Sequence, residues 1–186
     1  MTIKVECIIS IINKRRFEML PLLVRTLRIT NWLNWTAAAI LAFLLAVMVI
    51  SPGTPREFVM QVIASEKASD VAITWFKWVC AMSLPVCIAT HLILTRVIAM
   101  IRDTQTGAAF SEANADRLSV IAWALLAINV VDLIFGQLSV WASTASGLYF
   151  GWSLSLTGWF AVPLLFVLAR LLREGAQMRD DLEGTV

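Results

Sequence analysis

The sequence carries little charge. Charged residues occupy 15% of its 186 positions, and the formal net charge is only +2. A soluble domain of this length has charge at about a quarter of its residues, so the composition excludes an ordinary soluble protein. The small net charge also gives no reason to expect direct nucleic-acid binding.

Histidine and cysteine are scarce. His91 is the only histidine, which excludes a haem held by two histidines of one chain. Cys80 and Cys87 stand about 10.5 Å apart along a helix, too far for one zinc ion or a disulfide. Cys87 and His91 share a helical face, but no further ligand converges on them. The sequence therefore predicts no metal site and no cofactor, and we expect Cys7 to be a reduced thiol.

Common catalytic motifs are absent as well. The sequence contains no glycine-rich phosphate loop, no G-x-S-x-G and no H-E-x-x-H. No pair of a nucleophile and a base can be assigned from the residues. The sequence therefore predicts a protein that is not an enzyme.

Four long apolar runs dominate what is present. Hydrophobic residues make up 59% of the chain, and the mean hydropathy is +0.79. Each run approaches the roughly 20 helical residues that cross a bilayer core. Helices are expected because backbone polar groups in hydrocarbon need internal partners. The predicted spans are residues 32–50, 71–94, 118–138 and 148–168.

The basic residues alternate between the connecting segments. They are frequent before the first span, in the second loop and after the fourth span, and sparse in the first and third loops. Under the positive-inside rule, both termini and the second loop are cytoplasmic. Short connections favour antiparallel neighbours. The sequence thus predicts an all-α integral membrane protein, an up-down four-helix bundle with N-in/C-in topology.

Three segments follow from these spans. They are a cytoplasmic N-terminal segment (1–30), a four-helix transmembrane domain (31–172) and a cytoplasmic C-terminal tail (173–186). One interpretation of the first segment is an amphipathic helix on the inner leaflet, interrupted by Pro21. The other is that residues 1–18 are not native and that Met19 is the natural start. No signal-peptide cleavage site is evident, so the first span is expected to be an uncleaved anchor.

Local signals predict several boundaries. The outer loop, residues 56–70, contains apolar residues that form either a short surface helix or a loop. Gly107 is expected to break the helix that follows the second span. Ser111 is expected to cap the third span, with Phe110 at the hydrophobic staple position. Residues 139–147 are predicted to be a short outer turn.

Small residues open the predicted fourth span at four-residue spacing. Gly147, Gly151 and Ser155 form a row of the kind that lets two helix backbones approach closely. The row favours packing within the bundle. The alternative is a homo-oligomer contact through the same three residues.

Polar side chains lie inside the second and third spans, where ionisable groups are costly and are usually paired or functional. Lys77 and Asp132 lie at similar depths, about 9 Å below the outer ends of their helices. This predicts an ion pair, or a hydrogen-bonded cluster with Asn129. The alternative is that Lys77 extends outwards and Asp132 meets interfacial water. The predicted intramembrane polar cluster is Lys77, Asn129, Asp132 and His91.

Two segments on the predicted cytoplasmic face carry a family resemblance. They are GAAFSEANADRL (107–118) and FVLARLLREGAQMRDDLEGTV (166–186). The chain from about residue 19 to residue 186 resembles the YoaS-like family of bacterial four-span membrane proteins, a domain of unknown function. The resemblance implies a location in the bacterial inner membrane. It also implies a gene that often neighbours a small helix-turn-helix regulator.

The leading functional hypothesis is a non-enzymatic membrane protein that binds or regulates a cytoplasmic partner, such as a helix-turn-helix transcription regulator, through its inner loop and tail. Its predicted partner surface is Phe110, Glu112, Asn114, Arg117, Arg173, Arg179, Asp180 and Asp181. A solvated helix end is the alternative interpretation of that tail. The second functional hypothesis is a small transporter or proton-coupled carrier that uses the polar residues of spans 2 and 3.

Overall fold

The computed structural model describes residues 2–63, 65–105 and 109–183, and all secondary structure in these ranges is α-helical. Its helices are α1 (Thr2–Ile50), α2 (Gly53–Val62), α3 (Glu66–Gln105), α4 (Glu112–Ser146) and α5 (Leu156–Glu183). Four segments are long and apolar enough to cross a membrane: Leu20–Ile50, Glu66–Gln105, Glu112–Ser146 and Leu156–Arg179. The predicted all-α architecture with four apolar spans is confirmed.

The long helices pack as antiparallel neighbours in chain order. Helix α1 packs on α3, α3 on α4, and α4 on α5. Contacts that show the antiparallel register are Asn34–Cys87, Trp75–Ser139 and Asp116–Arg173. Within the described ranges, α1 makes no comparable contact with α4 or α5, so the bundle is a row of neighbouring helices. Lipid solvates apolar side chains as well as another helix does, so no hydrophobic force requires α1 to contact α4 or α5.

The antiparallel order gives the molecule two ends. The end that holds residues 20–28, the end of α3, the start of α4 and the end of α5 is called the termini end here. The opposite end holds α2, the last turns of α1 and α4, and the segment 147–155. Both ends carry features that bear on function.

Helix α1 continues through Pro21, so the prediction that this proline interrupts the helix is wrong. Pro85 and Pro163 likewise lie inside α3 and α5. A proline removes one backbone hydrogen bond, but the rest of a long apolar helix keeps the backbone paired. Helices of this composition tolerate proline because the alternative in hydrocarbon is an unpaired chain.

The third connection differs from the prediction. Residues 139–146 belong to α4, and the turn begins only at Gly147, whose φ of 72° is left-handed. Glycine adopts this conformation without a Cβ clash, and its backbone N–H donates to the Ser143 carbonyl at 3.0 Å. The Ser143 hydroxyl then accepts from the backbone N–H of Phe150 at 3.0 Å, which directs the chain across the end of α4.

Because α5 begins at Leu156, the predicted start of the fourth span at residue 148 is wrong. Gly147 caps α4, and Gly151 and Ser155 lie in the non-helical segment 147–155. The three residues therefore do not form a row on one helix. The close-packing argument, and the homo-oligomer contact inferred from it, lose their structural basis.

A short helix follows α1, as one interpretation of the outer loop predicted. Helix α2 packs against the start of α3. The Arg56 guanidinium lies 2.5 Å from Glu66 Oε1 and 3.3 Å from Asp70 Oδ1, which joins the two helices. These groups are exposed, so we attribute the position of α2 mainly to its apolar contacts with α3 rather than to the ion pairs.

Candidate functional site

The start of α4 is fastened by side-chain hydrogen bonds at the termini end. Ser111 has extended backbone angles, and its hydroxyl accepts from the Asn114 backbone N–H at 3.3 Å. The predicted N-cap is therefore confirmed. The Asn114 side chain donates to the Ala109 carbonyl at 3.1 Å and is only 1% exposed. Asn114 thus holds the connection in place, and its predicted position on a partner surface is wrong.

Arg117 joins α3 to α4. Its guanidinium contacts the Asp103 carboxylate and donates to Asn114 Oδ1 at 2.7 Å. Both charged groups are half-buried, where a charge-assisted hydrogen bond is stronger than on an open surface. One terminal nitrogen of Arg117 makes both contacts, so the side chain connects the end of α3 to the start of α4.

Arg173 joins α5 to α4 at the same end. Its guanidinium lies 2.6 Å from Asp116 Oδ1, and Arg170 pairs with Glu174 at 2.9 Å within α5. These groups are largely exposed, so each pair contributes modestly to stability. The contacts nevertheless give the C-terminal part of α5 a defined position beside α4.

Two large apolar side chains remain exposed at this end. Phe110 is 59% exposed, and a methyl group added at Gly175 of α5 would lie 3.6 Å from its ring. Met178, three residues after Gly175 and therefore on a neighbouring part of the same helix surface, is 63% exposed. We call Phe110, Gly175 and Met178 the apolar patch. Met178 was missed at the sequence level, although its spacing from Gly175 is a usable signal.

The remaining predicted surface residues surround this patch. Glu112 is exposed in the first turn of α4, and Arg179 and Asp181 are exposed near the end of α5. The side chain of Asp180, like the predicted helix break at Gly107, lies outside the described residues. The structure therefore brings most of the predicted surface to one end of the molecule.

The predicted intramembrane cluster does not form. Lys77 and Asp132 are both half-buried, yet within the described part of the chain neither takes part in an ion pair or a hydrogen bond. Lys77 follows Trp75 by two residues, about 200° around α3. Because Trp75 contacts Ser139 of α4, Lys77 is directed away from α4. The predicted Lys77–Asp132 ion pair is therefore wrong.

Asn129 lies at a close approach of α4 and α5. Its amide donates to the Leu125 carbonyl at 2.8 Å, and the residue is buried. A methyl group at Gly158 would lie 3.0 Å from Asn129 Cγ and closer still to Oδ1. Gly136 meets the indole of Trp152 in the same tight manner. Gly158 thus lets α5 approach α4 closely, and Gly136 lets the segment 147–155 approach α4 in the same way.

His91 belongs to a separate polar seam between α3 and α1. Its Nδ1 lies 2.8 Å from Asn31 Oδ1 and 3.2 Å from Trp35 Nε1. The nitrogen accepts from Trp35 in one tautomer and donates to Asn31 in the other. Asn34 adds a bond to the Cys87 carbonyl at 2.9 Å. Asn31 and Asn34 were missed at the sequence level, although their spacing from Trp35 places all three on one face of α1.

Two clefts open between α1 and α3. The cleft at the opposite end has a volume of about 690 Å³ and a wall that is almost entirely apolar, made by α1, α2, α3 and Phe150. The cleft at the termini end has a volume of about 460 Å³. It is lined by Pro21, Val24, Arg25, Arg28, Arg102 and Gln105. Lys77, Asn129 and Asp132 line neither cleft.

Four long apolar helices in an antiparallel row are typical of a multi-pass helical membrane protein. A family model described as "Protein of unknown function (DUF2975)" matches residues 26–186, and the chain belongs to this family. The match begins seven residues after Met19 and reaches the C-terminus, close to the extent expected from the resemblance. No curated protein and no solved structure matches the chain.

Proposed function

We propose that this protein is a non-enzymatic protein of the bacterial inner membrane, related to the YoaS-like proteins, with both termini in the cytoplasm. It binds a cytoplasmic protein partner through the termini end. The orientation is supported by Arg25, Arg28, Arg96, Arg102 and Arg117 near that end. Far fewer basic residues lie near the opposite end, as the positive-inside rule requires.

The apolar patch is the observation that carries the partner proposal. Exposed apolar residues within the uncharged parts of the spans, such as Phe160, are explained by contact with lipid. Phe110 and Met178 instead stand next to Glu112 and Arg179, and Met178 lies beyond the uncharged part of α5, which ends before Arg170. Lipid does not explain their exposure, and apolar side chains held on a positioned surface are typical of an interface.

The charge around the patch indicates the kind of partner. From residue 173 onward the sequence contains two arginines and four acidic residues, so the tail is acidic. A complementary surface has an apolar pocket rimmed by lysine or arginine. A helix-turn-helix regulator, which the family resemblance implies, carries basic surface of this kind.

The test places a photo-crosslinking phenylalanine analogue at position 110 of the full chain in its native membrane. We expect a crosslink to a basic cytoplasmic protein, whereas the same analogue at position 160 reacts with lipid. Phe110→Ser combined with Met178→Ser should abolish copurification of that protein. Phe160→Ser is the control, because it removes an exposed ring within the span. Undiminished copurification with the double variant would refute the proposal.

The carrier hypothesis finds no support in the geometry. A carrier needs polar side chains that converge on a cavity near the bilayer midplane. Asn129 packs against Gly158, His91 contacts α1, and Lys77 is directed away from α4. These polar residues of the second and third spans thus lie in different parts of the structure and do not converge on one cavity.

A further inference from the structure

Three arginines converge on the cleft at the termini end. Arg25 and Arg28 stand three residues apart on one face of α1, and Arg102 faces them from α3. Pro21 and Val24 supply an apolar wall, and Gln105 adds an amide. The cleft therefore combines three permanent positive charges with a surface that accepts hydrocarbon.

None of the three guanidinium groups has a hydrogen bond or an ion pair within the described residues. Arginines elsewhere in the chain differ in this respect. Arg56, Arg117, Arg170 and Arg173 each contact a carboxylate. Like charges gathered in one cleft repel one another, and an anion held between them removes that cost.

The position of the cleft indicates where the anion comes from. Arg28 precedes Trp32 by one helical turn, and Trp32 is an exposed tryptophan near the start of the uncharged part of α1, residues 29–50. Tryptophan side chains favour the boundary between hydrocarbon and headgroups. The three arginines thus lie at headgroup level, and exposed Ile29 and Leu33 continue from them into the bilayer.

We propose that Arg25, Arg28 and Arg102 form a phosphate-binding site that takes the headgroup of an anionic phospholipid. Guanidinium groups bind phosphate oxygens through paired hydrogen bonds, which ammonium groups do not match in geometry. Basic clefts between transmembrane helices on the cytoplasmic side bind such headgroups. The bound lipid bridges α1 and α3, because each helix supplies part of the site. This inference does not depend on the partner proposal.

The experiment measures thermal unfolding of the full chain in detergent as a function of added phosphatidylglycerol, phosphatidylcholine or inorganic phosphate. Salt at about 0.5 M suppresses diffuse attraction to the basic surface. We expect phosphatidylglycerol to raise the Tm and phosphatidylcholine to leave it unchanged. A rise with inorganic phosphate equal to that with phosphatidylglycerol would assign the site to soluble phosphate compounds and overturn the lipid assignment.

Variants distinguish lipid binding in the cleft from attraction to the basic surface as a whole. Replacing the three arginines by glutamine should weaken phosphatidylglycerol binding on the order of 100-fold, and Arg102→Gln alone about fivefold. Arg96→Gln is the matched control, since Arg96 is an exposed arginine of α3 outside the cleft. If the triple variant does not fold, the single variants Arg25→Gln and Arg102→Gln are measured instead. Equal losses for Arg96→Gln and Arg102→Gln would overturn the proposal.

Discussion

Gly158 of α5 packs directly against the side chain of Asn129 in α4. The absence of a Cβ there leaves room for the buried Asn129 amide, which is hydrogen-bonded within its own helix. Small residues at helix crossings let backbones approach in membranes, where dispersion contacts replace the hydrophobic effect as the packing force.

Gly158→Ala should lower the free energy of unfolding by about 1–3 kcal/mol, because the added methyl group overlaps Asn129 and either helix must shift. Thermal or denaturant unfolding in detergent measures the change. Gly53→Ala, with no atom within 4 Å of the new methyl group, should cost nothing. Adding Asn129→Ala to Gly158→Ala should relieve the overlap; an equal, additive loss in the double variant would contradict this account.

Residue-level expectations succeeded where the chemistry is local. The cap at Ser111 depends on residues three positions away, so the sequence is sufficient to predict it. Asn114 lies in the same segment but was placed wrongly on the surface. Its burial depends on the end of α3 and on the preceding connection, which reach it through tertiary packing.

At the scale of elements, the polar seam of Asn31, Asn34, Trp35 and His91 accounts for how α1 is attached. In the described part of the molecule, α1 packs on no other long helix than α3. Most of the apolar surface of α1 is exposed, so side-chain hydrogen bonds specify its register against α3. Interhelical hydrogen bonds in membranes contribute on average about 0.6 kcal/mol each.

His91→Ala should therefore destabilise the protein by about 1–2 kcal/mol through loss of its hydrogen bond to α1 and of its edge contact with the Trp35 ring. In the same variant, a disulfide between cysteines introduced at facing positions of α1 and α3 should form more slowly than in the protein that retains His91. Thr95→Val is the control, because the Thr95 hydroxyl bonds only to carbonyls of its own helix. Equal effects of the two substitutions would show that the seam does not attach α1.

The extent of α4 shows why hydropathy places helix ends poorly. The last turns of α4 contain serines and a threonine, whose low hydropathy predicted a turn from residue 139. Ser143 and Ser146 instead donate to carbonyls four residues earlier, at 2.8 and 2.6 Å. The hydroxyls are satisfied inside the helix, so polarity alone does not end it. Gly147 does.

At the scale of the whole molecule, the two ends of the helix row carry different surface features. The opposite end has an apolar cleft beneath α2, and the termini end has the basic cleft and the apolar patch. This asymmetry agrees with the orientation that the basic residues favour, in which the termini end faces the cytoplasm.

Labelling with a membrane-impermeant thiol reagent checks that orientation. In a background that lacks Cys7, Cys80 and Cys87, Tyr149→Cys should react in intact cells, since Tyr149 is exposed at the opposite end. Met178→Cys should react only after the membrane is permeabilised. The reverse pattern would invert the topology, and with it the assignment of the partner surface to the cytoplasm.

The sequence by itself determined the helical class, the number of apolar spans and the cap at Ser111, because hydrophobicity and backbone pairing depend on neighbouring residues. Only the tertiary structure decided that Lys77 turns away from α4, that His91 meets α1, and that three arginines share one cleft. Periodicity identifies the face of a helix that carries polar groups. Which helix that face meets depends on packing between segments far apart in the chain.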